Sequence, residues 1–188
     1  RGKTKVIFCP TMHGSMHNSL FIESCKKLKS MGCHFLKPRD DYGKHNIPDE
    51  EIITVFLSRL LSRSPLKGKS ILVTGGPTPV PIDGIRILTN HFTGKLGGLI
   101  AEELTLRGSD VFLINGAGKY NPPLWLNFKN IKSYEEYKEF VLKVLEEGSF
   151  TAGIFSASVA DYAPKKMANG KIKSGQSSLR IDLSPTEK

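Results

Sequence analysis

SILVTGG, residues 70–76, is a short apolar run that ends in two glycines, and it predicts a buried β-strand. A helix-like segment at 94–108 comes next, and DVFLING (110–116) is a second strand-like run. The alternation repeats in a helix-like segment at 133–148 and a third strand-like run at 151–158. The apolar positions expected to face the sheet are Leu96, Leu99, Ile100 and Leu104 in the first helix and Tyr137, Phe140, Val141, Val144 and Leu145 in the second.

The N-terminal part of the chain carries a shorter series of the same kind. Strand-like runs lie at 4–9 and 33–38, and helix-like segments lie at 20–32 and 48–61. The segment 62–69 that follows is polar and contains proline and glycine, so it is predicted to be a linker.

Alternating strands and helices of these lengths predict an α/β fold, with a parallel sheet and helices on both of its faces. Ligands of such sheets bind at the carboxyl ends of the strands. In the second series this rule selects three loops, at 75–94, 115–125 and 158–175.

The composition is that of an ordinary globular protein, with 39% hydrophobic and 24% charged residues in a chain of 188. No run approaches the roughly 18 apolar residues of a membrane span, so we expect no membrane partner. Cys9, Cys25 and Cys33 show no CxxC spacing, and the five histidines form no cluster with metal-ligand spacing. We therefore expect a reduced, cytoplasmic protein with no metal held by its own side chains.

The net charge of +9 raises the question of a nucleic-acid partner. No basic helix or RNP-like aromatic pattern accompanies the charge, so we do not expect a sequence-specific nucleic-acid binder. Six lysines and arginines stand against two acids from position 163 to the C-terminus. This segment is either a solvated loop or a clamp for phosphates, whereas a nucleic-acid-binding domain would show affinity that falls steeply with salt.

The loop after the first predicted strand lacks the common nucleotide-binding motifs. Gly75 and Gly76 remove side chains where a ligand could press against the backbone, but no GxGxxG pattern is present. The Walker A pattern is also absent, because Thr89 stands where its first glycine belongs and Leu96 follows the lysine.

The end of this loop still offers an anion site. The N–H groups between Thr93 and Leu96, with Gly94 and Lys95 among them, lie at the positive end of the predicted helix. The alternative is a Gly/Pro-rich crossover in which Thr93 only caps the helix.

Two polar side chains precede this turn. Asn90 could donate an N–H to a developing oxyanion or to a carbonyl oxygen, or it could form an Asx-turn. Arg86 could hold a phosphate or carboxylate in a fork, or it could pair with Asp83.

The third loop, SASVADYAPKKMANGKIKSG (156–175), begins with small residues against which a flat ring could lie. Asp161 could accept from an exocyclic amine, and Lys171 and Lys173 could reach phosphates. The alternative is a helix-capping aspartate followed by a solvated basic loop.

Together the two loops resemble the phosphopantothenoylcysteine synthetase domain of coenzyme A biosynthesis, which is often fused behind a phosphopantothenoylcysteine decarboxylase. The family pattern TAGPTREPIDPVRFISNxSSGKMG is matched by VTGGPTPVPIDGIRILTNHFTGKLG (73–97), and the pattern AAVADYxP…KIKK by SASVADYAPKKMANGKIKS (156–174). The similarity covers residues 70–188 and implies a Rossmann-like sheet.

The resemblance implies a ligase that joins 4′-phosphopantothenate and L-cysteine through an acyl-nucleotide, with CTP as the nucleotide in the prokaryotic branch. Pyrophosphate and CMP would leave, and Mg²⁺ is expected because the pyrophosphate charge must be spread. Asn90 would hold the acyl-phosphate intermediate, Arg86 would seat the substrate, and Lys171 would bind the triphosphate. The residues that would frame the base are Ala157, Ser158, Ala160 and Asp161.

Three departures from the family pattern stand out. Pro79-Val80 replaces Arg-Glu, and Ser174 follows Lys173 where the family has a second lysine. The chain also stops at LSPTEK, where the family continues to another strand and helices, so we expect 70–188 to be a C-terminally incomplete synthetase domain and the chain a fragment.

The segment 1–61 is similar to the end of the flavin-dependent decarboxylase domain, which implies the C-terminal part of a flavodoxin-like α/β domain. CPTMHGSMHNSLF resembles PAMNxxMW or PAMHxxMY, with His13 at the variable Asn/His position, and GCHFLKPRDDYGKHNIPDEEI (32–52) resembles GVxFIxPRxxxGKxxI…EEI. The family's cysteine in ACGxxGxGR has no counterpart around 40–44. FMN is therefore expected only in an upstream decarboxylase part, and His13 is otherwise a loop histidine without a ligand.

The resemblance implies a homodimer through the synthetase domain and a higher oligomer if the decarboxylase is present. CTP and ATP stay open as the nucleotide, because a backbone-lined base pocket is not readable from residue types. The alternative to an enzyme is a non-catalytic nucleotide-binding α/β module, which the replacement at Pro79-Val80 would suit.

Overall fold

The computed structural model describes residues 4–187, and of Ser15 the backbone alone. Arg1–Lys3 and Lys188, which the predicted domain bounds include, lie outside the described residues. The chain divides into two compact units, one ending at Leu61 and the other beginning at Ser62.

From residue 4 onward, the first unit holds two α-helices and four short strands. Its elements are β1 (Ile7–Phe8), a 3₁₀ turn (Gly14–Met16), α1 (Ser19–Ser30), β2 (His34–Phe35), β3 (Arg39–Asp41), β4 (Lys44–Asn46) and α2 (Glu50–Leu61). β1 and β2 are parallel, and β3 and β4 form an antiparallel hairpin. Asn18 starts α1 by accepting the Phe21 N–H at 2.9 Å, and Glu50 and Glu51 place negative charge in the first turn of α2.

Up to residue 187, the second unit holds two helices and eight strands. They are β5 (Ser70–Gly75), β6 (Val80–Pro81), β7 (Ile87–Leu88), α3 (Lys95–Leu106), β8 (Asp110–Asn115), β9 (Phe128–Asn130), α4 (Tyr134–Glu147), β10 (Ala152–Phe155), β11 (Tyr162–Pro164) and β12 (Leu183–Pro185).

Four of these strands form one parallel sheet, in the order β10-β5-β8-β9. β5 and β8 are in register from Ser70 opposite Asp110 to Gly75 opposite Asn115. The predicted parallel sheet is thereby confirmed. β9 was not predicted, because FKN is three residues long and has no apolar run. β6 with β7, and β11 with β12, form small antiparallel pairs beside the sheet.

The core lies on both faces of the sheet, as predicted. Ile71 and Val73 of β5 pack with Ala101 of α3 on one face. Leu72, between them, packs with Tyr137 of α4 on the other, because successive strand residues point to opposite faces.

The face of α3 that packs on the sheet differs from the prediction. Leu96 and Leu99 are exposed, Leu96 at 68%, and the buried positions are Gly97, Gly98, Ala101 and Thr105. The helix lies so close to β5 that a Cβ at Gly97 would be 2.8 Å from the Gly75 Cα, so only small residues fit there. In α4, Leu145 is likewise exposed rather than buried.

The predicted linker at 62–69 is attached to the second unit. The Gly68 N–H donates to the Gly108 carbonyl at 2.9 Å, and Ser109 Oγ donates to the Leu66 carbonyl at 3.0 Å. All three cysteines are free thiols. Within residues 4–187 no helix is long and apolar enough to cross a membrane.

The observed packing of α3, with Leu96 exposed, leads to a prediction about stability. Leu113→Ala should lower the free energy of unfolding by between about 2 and 5 kcal/mol, because Leu113 is fully buried in the sheet. Leu96→Ala should change it by no more than about 0.5 kcal/mol, since that side chain is exposed. Urea unfolding of both variants checks this, and equal losses would contradict the packing of α3.

Candidate functional site

The carboxyl end of β5 continues into a fully buried turn, residues 75–80. Gly76 has φ +83°, and a Cβ there would lie 3.1 Å from the backbone of Gly116, so the turn requires glycine. The Gly116 N–H in turn donates to the Gly75 carbonyl at 2.6 Å. These glycines are therefore packed against neighbouring backbone, and Gly76 also lines a cavity.

The two loops selected from the sequence meet at Asn90 and Ser158. The Asn90 side-chain amide donates from Nδ2 to Ser158 Oγ at 2.7 Å and to the Ser158 carbonyl at 3.3 Å. The Ser158 N–H donates to the Gly76 carbonyl at 2.9 Å. The loop after β5 and the loop after β10 are therefore joined beside the end of β5.

A cavity of about 350 Å³ lies at this junction. Its lining combines the start of α3 with the small residues that follow β10; it consists of Gly76, Phe92, Thr93, Gly94, Lys95, Leu96, Gly97, Ser156, Ala157 and Ser158. The lining is therefore mainly backbone and small side chains, with Phe92, Lys95 and Leu96 as its large side chains.

The N-terminus of α3 lines this cavity, and its positive end is not neutralised by a side-chain cap or an acid. Gly94 is its N-cap, in the left-handed conformation, and no side chain caps the helix. The first turn has no acid and begins with Lys95, whereas Ser133 caps α4 and two glutamates follow it. Thr93 Oγ1 accepts only a long contact, 3.3 Å, from the Lys95 N–H. This helix end can therefore receive an anion.

Asp83 is a buried carboxylate that pairs with Arg86, whose side chain is 38% exposed. The Asp83 carboxylate, only 3% exposed, accepts the N–H groups of Ile85 at 2.8 Å and Arg86 at 2.7 Å. It also accepts the Ile172 N–H at 3.1 Å and pairs with the Arg86 guanidinium. The Arg86 N–H, with the other backbone donors, holds the pKa of Asp83 well below its usual range. The pairing of Arg86 with Asp83, left open from the sequence, is thus formed.

The rest of the third loop is only partly at the cavity. The Ala160 N–H donates to Thr78 Oγ1 at 2.9 Å, and Ala160 is buried among Val80 and Tyr134 rather than at the cavity wall. Asp161, Lys171 and Lys173 are exposed and do not line it.

The sequence profile of the family described as DNA/pantothenate metabolism flavoprotein, C-terminal domain, matches residues 66–188. The chain belongs to this family. The resemblance inferred from the two loop motifs is thereby confirmed, and the alignment of relatives extends it over the N-terminal part.

Relatives of the family cover nearly the whole chain. The chain is 36% identical over 186 residues to the coenzyme A biosynthesis bifunctional protein CoaBC of Thermococcus kodakarensis, covering 98% of this chain and 46% of that protein. It is 30% identical over 188 residues to a cysteine/cysteine sulfinic acid decarboxylase from an unknown prokaryotic organism, covering 94% of this chain and 50% of that protein. The chain thus spans about half the length of the curated relatives it matches.

A solved structure of the family supports the fold. The crystal structure of the C-terminal domain of CoaBC is 34% identical to this chain, with a TM-score of 0.55. The match covers 65% of this chain and 56% of that one.

The loop after β8 supports the turn that precedes α3. The loop after β8, residues 116–120, packs under the Thr93 turn, because the Tyr120 N–H donates to the Thr93 carbonyl at 3.0 Å. Tyr120 Oη donates to Glu102 of α3, and burial, with help from that carboxylate, raises the pKa of Tyr120. Sequence reasoning selected this loop but assigned no residue in it. The two glycines of NGAG (115–118) were the available signal.

Phe92 is a cavity residue to which the sequence motifs assigned no role. Its ring lines the cavity and is exposed, and it stands where the family pattern has a serine.

In the first unit, His13 is exposed and its backbone bridges to Lys44. The rings of His17 and His45 lie 4.5 Å apart between centroids. No group of three or more metal-ligating side chains occurs among the residues that the structure describes. His13 therefore has no cluster around it there that could bind a metal.

Asp83 should make stability depend on pH. Its pKa is lowered by folding, from an unfolded value of about 3.9, so its stabilising effect is present above that value and is lost as the pH falls through the folded pKa. The difference in unfolding free energy between the wild type and Asp83→Asn should be constant above about pH 5 and shrink below about pH 4. Urea unfolding at several pH values measures it. A difference that grows on acidification would contradict the assignment.

Proposed function

We propose that the protein is a ligase of coenzyme A biosynthesis that joins 4′-phosphopantothenate to L-cysteine. The proposal is supported by its family and by the relative from T. kodakarensis, which is named a coenzyme A biosynthesis bifunctional protein. It is supported most directly by one observation, the Asn90 amide held at the junction of two loops beside an uncapped helix end.

The first step activates the acid. A carboxylate oxygen of 4′-phosphopantothenate attacks the α-phosphorus of a nucleoside triphosphate, and the bond to the β-phosphate oxygen breaks, so that pyrophosphate leaves. The open N-terminus of α3 with Lys95 would bind phosphate oxygens, and Lys171 would add a cation for the triphosphate. The N–H groups of Arg86 not engaged with Asp83 would seat the acid, because a guanidinium carries five donors and Asp83 pairs with Nη1.

The second step forms the amide. The cysteine amine attacks the acyl carbon, the carbon–oxygen bond to the nucleotide breaks, the nucleoside monophosphate leaves, and the amine loses a proton. Negative charge develops on the acyl oxygen, and Asn90 Nδ2 would donate to it in place of Ser158 Oγ. One preorganised donor of this kind is worth roughly 3–4 kcal/mol of barrier.

CTP is the nucleotide that we propose. Small residues follow β10, so a base can approach the backbone of Ala157 and Ser158, and Asp161 could accept from the exocyclic amine of cytosine. Adenine also carries such an amine, so CTP, ATP and UTP must be compared directly. Mg²⁺ would arrive with the triphosphate, as it commonly binds through substrate phosphates. FMN belongs to a decarboxylase part and enters neither step.

A non-catalytic nucleotide-binding module is the second candidate. Val80 of the Pro79-Val80 pair is 3% exposed and packs in the core, so the charges that the family pattern carries there have no equivalent at that position. Pyrophosphate release separates the two candidates. The protein incubated with CTP, 4′-phosphopantothenate, cysteine and Mg²⁺ should release pyrophosphate only when the acid is present, and nucleotide binding without release would support the module.

Replacement of Asn90 tests the amide-forming step. Asn90→Ala should slow amide formation by roughly two to three orders of magnitude, because one donor to the developing oxyanion is lost. Circular dichroism should be unchanged, since Asn90 is half-buried and its side-chain hydrogen bonds to residues that the structure describes go to Ser158 alone. Product formation followed by mass spectrometry measures the rate. Unchanged turnover would remove Asn90 from the mechanism.

Replacement of Lys171 tests the nucleotide assignment. Lys171→Ala should raise the KM for CTP while the KM for cysteine stays the same. The reason is that the ammonium group of Lys171 is assigned to the triphosphate and not to the cysteine amine. Lys143→Ala removes one charge from the exposed side of α4 and serves as the matched control. If only the KM for cysteine changed in Lys171→Ala, the assignment would be wrong.

A further inference from the structure

Asp83 is a buried carboxylate with every acceptor position in use. Oδ1 accepts the N–H groups of Ile85 and Arg86, and Oδ2 accepts the Ile172 N–H and the Arg86 guanidinium. A carboxylate offers about four acceptor sites, and four donors converge on this one. Asp83 therefore has no lone pair left to take a proton from a substrate or to ligate a metal, and its effect must be exerted through the groups it holds.

Those groups belong to two segments that are far apart in the sequence. Arg86 lies in the turn between β6 and β7, and Ile172 lies in the basic loop between β11 and β12. The Gly84 N–H donates to the Gly170 carbonyl at 3.2 Å, and the Ala168 N–H donates to the Ile82 carbonyl at 3.2 Å. Together with the hydrogen bonds of the Asp83 carboxylate and the Arg86 guanidinium to Ile172, these make four contacts between residues 82–86 and residues 168–172.

Lys171 is the residue that this arrangement fixes. Both of its neighbours are bound, Gly170 to Gly84 and Ile172 to Asp83, while its own side chain is exposed. Lys173 has an anchored neighbour on one side only. The Arg86 guanidinium also contacts the Ile172 carbonyl, at 3.4 Å, so the arginine and the lysine-bearing backbone share one buried anion.

We propose that Asp83 is a positioning residue, which fixes the Arg86 guanidinium and the Lys171 backbone at one separation and thereby presents a bound acid to a bound nucleoside triphosphate. The proposal rests on the proposed function, since the acid and the triphosphate are the ligands assigned there to Arg86 and Lys171. A misplacement of about 1 Å at such a site can cost about 100-fold in rate, so a rigid link between the two side chains has a catalytic effect without touching substrate.

Hydrogen exchange in the wild-type protein tests the link without any variant. The Ile172 amide should exchange at least about tenfold more slowly than the amide of Lys173, because only the former is bonded to a buried carboxylate. Residue-resolved NMR exchange measures both. Equal rates would overturn the proposal.

Asp83→Asn tests the function of the link. A carboxamide has one acceptor oxygen, so in either orientation its NH₂ group faces two donors, and the contact with residues 168–172 should open. The rate constant for pyrophosphate release in a single turnover, from CTP and 4′-phosphopantothenate without cysteine, should fall about 10- to 100-fold. The KM for cysteine should be unchanged, and trypsin should cleave after Lys171 and Lys173 faster than in the wild type.

Asp182→Asn is the matched control, because this aspartate lies in the same basic segment and pairs with Arg180 at the surface. It should alter neither proteolysis nor pyrophosphate release. If Asp83→Asn released pyrophosphate at the wild-type rate, or lost cysteine affinity in the same proportion, the positioning role would be wrong. If Asp83→Asn did not fold, the exchange rates in the wild type would decide. A wild-type protein that released no pyrophosphate would overturn the proposed function instead, and a protected Ile172 amide would still support the link itself.

Discussion

The close approach of α3 to the carboxyl end of β5 is the constraint on which the site depends. A Cβ at Gly97 would lie 2.8 Å from the Gly75 Cα, and a Cβ at Gly94 would lie 3.1 Å from the Gly76 Cα. Any side chain at these positions would push the helix outward. Because the backbones touch, the first N–H groups of α3 lie level with the strand ends, where the loop bearing Ser158 also arrives.

The protein caps the N-termini of its two sheet-packing helices differently. It gives α4 a serine cap, whose Oγ accepts the Glu136 N–H at 3.2 Å, and two glutamates in the first turn. It gives α3 neither a cap nor an acid and starts the helix with Lys95, which leaves positive potential for a ligand. Asp83, by contrast, is an acid whose charge is wholly used inside the protein. An anion that enters the cavity would therefore meet donors rather than a competing carboxylate.

Much of this arrangement could be predicted from the sequence. Apolar runs and helical periodicity indicated the strands β5, β8 and β10 and the helices between them. The rule that ligands bind at strand ends then selected the loops that meet at Asn90 and Ser158. These features follow from local patterns and from topology, which is why the sequence is sufficient for them.

The remaining features depend on distances that no local pattern encodes. The periodicity of α3 suggested Leu96 for the core, because leucine is usually buried, but the sheet lies too near to admit it. The contact of Asp83 with Ile172 joins residues 89 positions apart, and the sequence suggested only the local pairing with Arg86. The contact of the loop at 116–120 with the Thr93 turn likewise becomes visible only when the whole chain is folded.

The ring of Tyr120 occupies the space beside Gly98, where a Cβ would come within 2.1 Å of the ring carbon Cε1. The side chains at positions 98 and 120 therefore compete for the same space, although one position lies in a helix and the other in a separate loop. In a relative of this chain, a bulky residue at the first position would have to be matched by a small one at the second. The same volume could thus be filled from either side over evolutionary time, with the helix and the loop left in place.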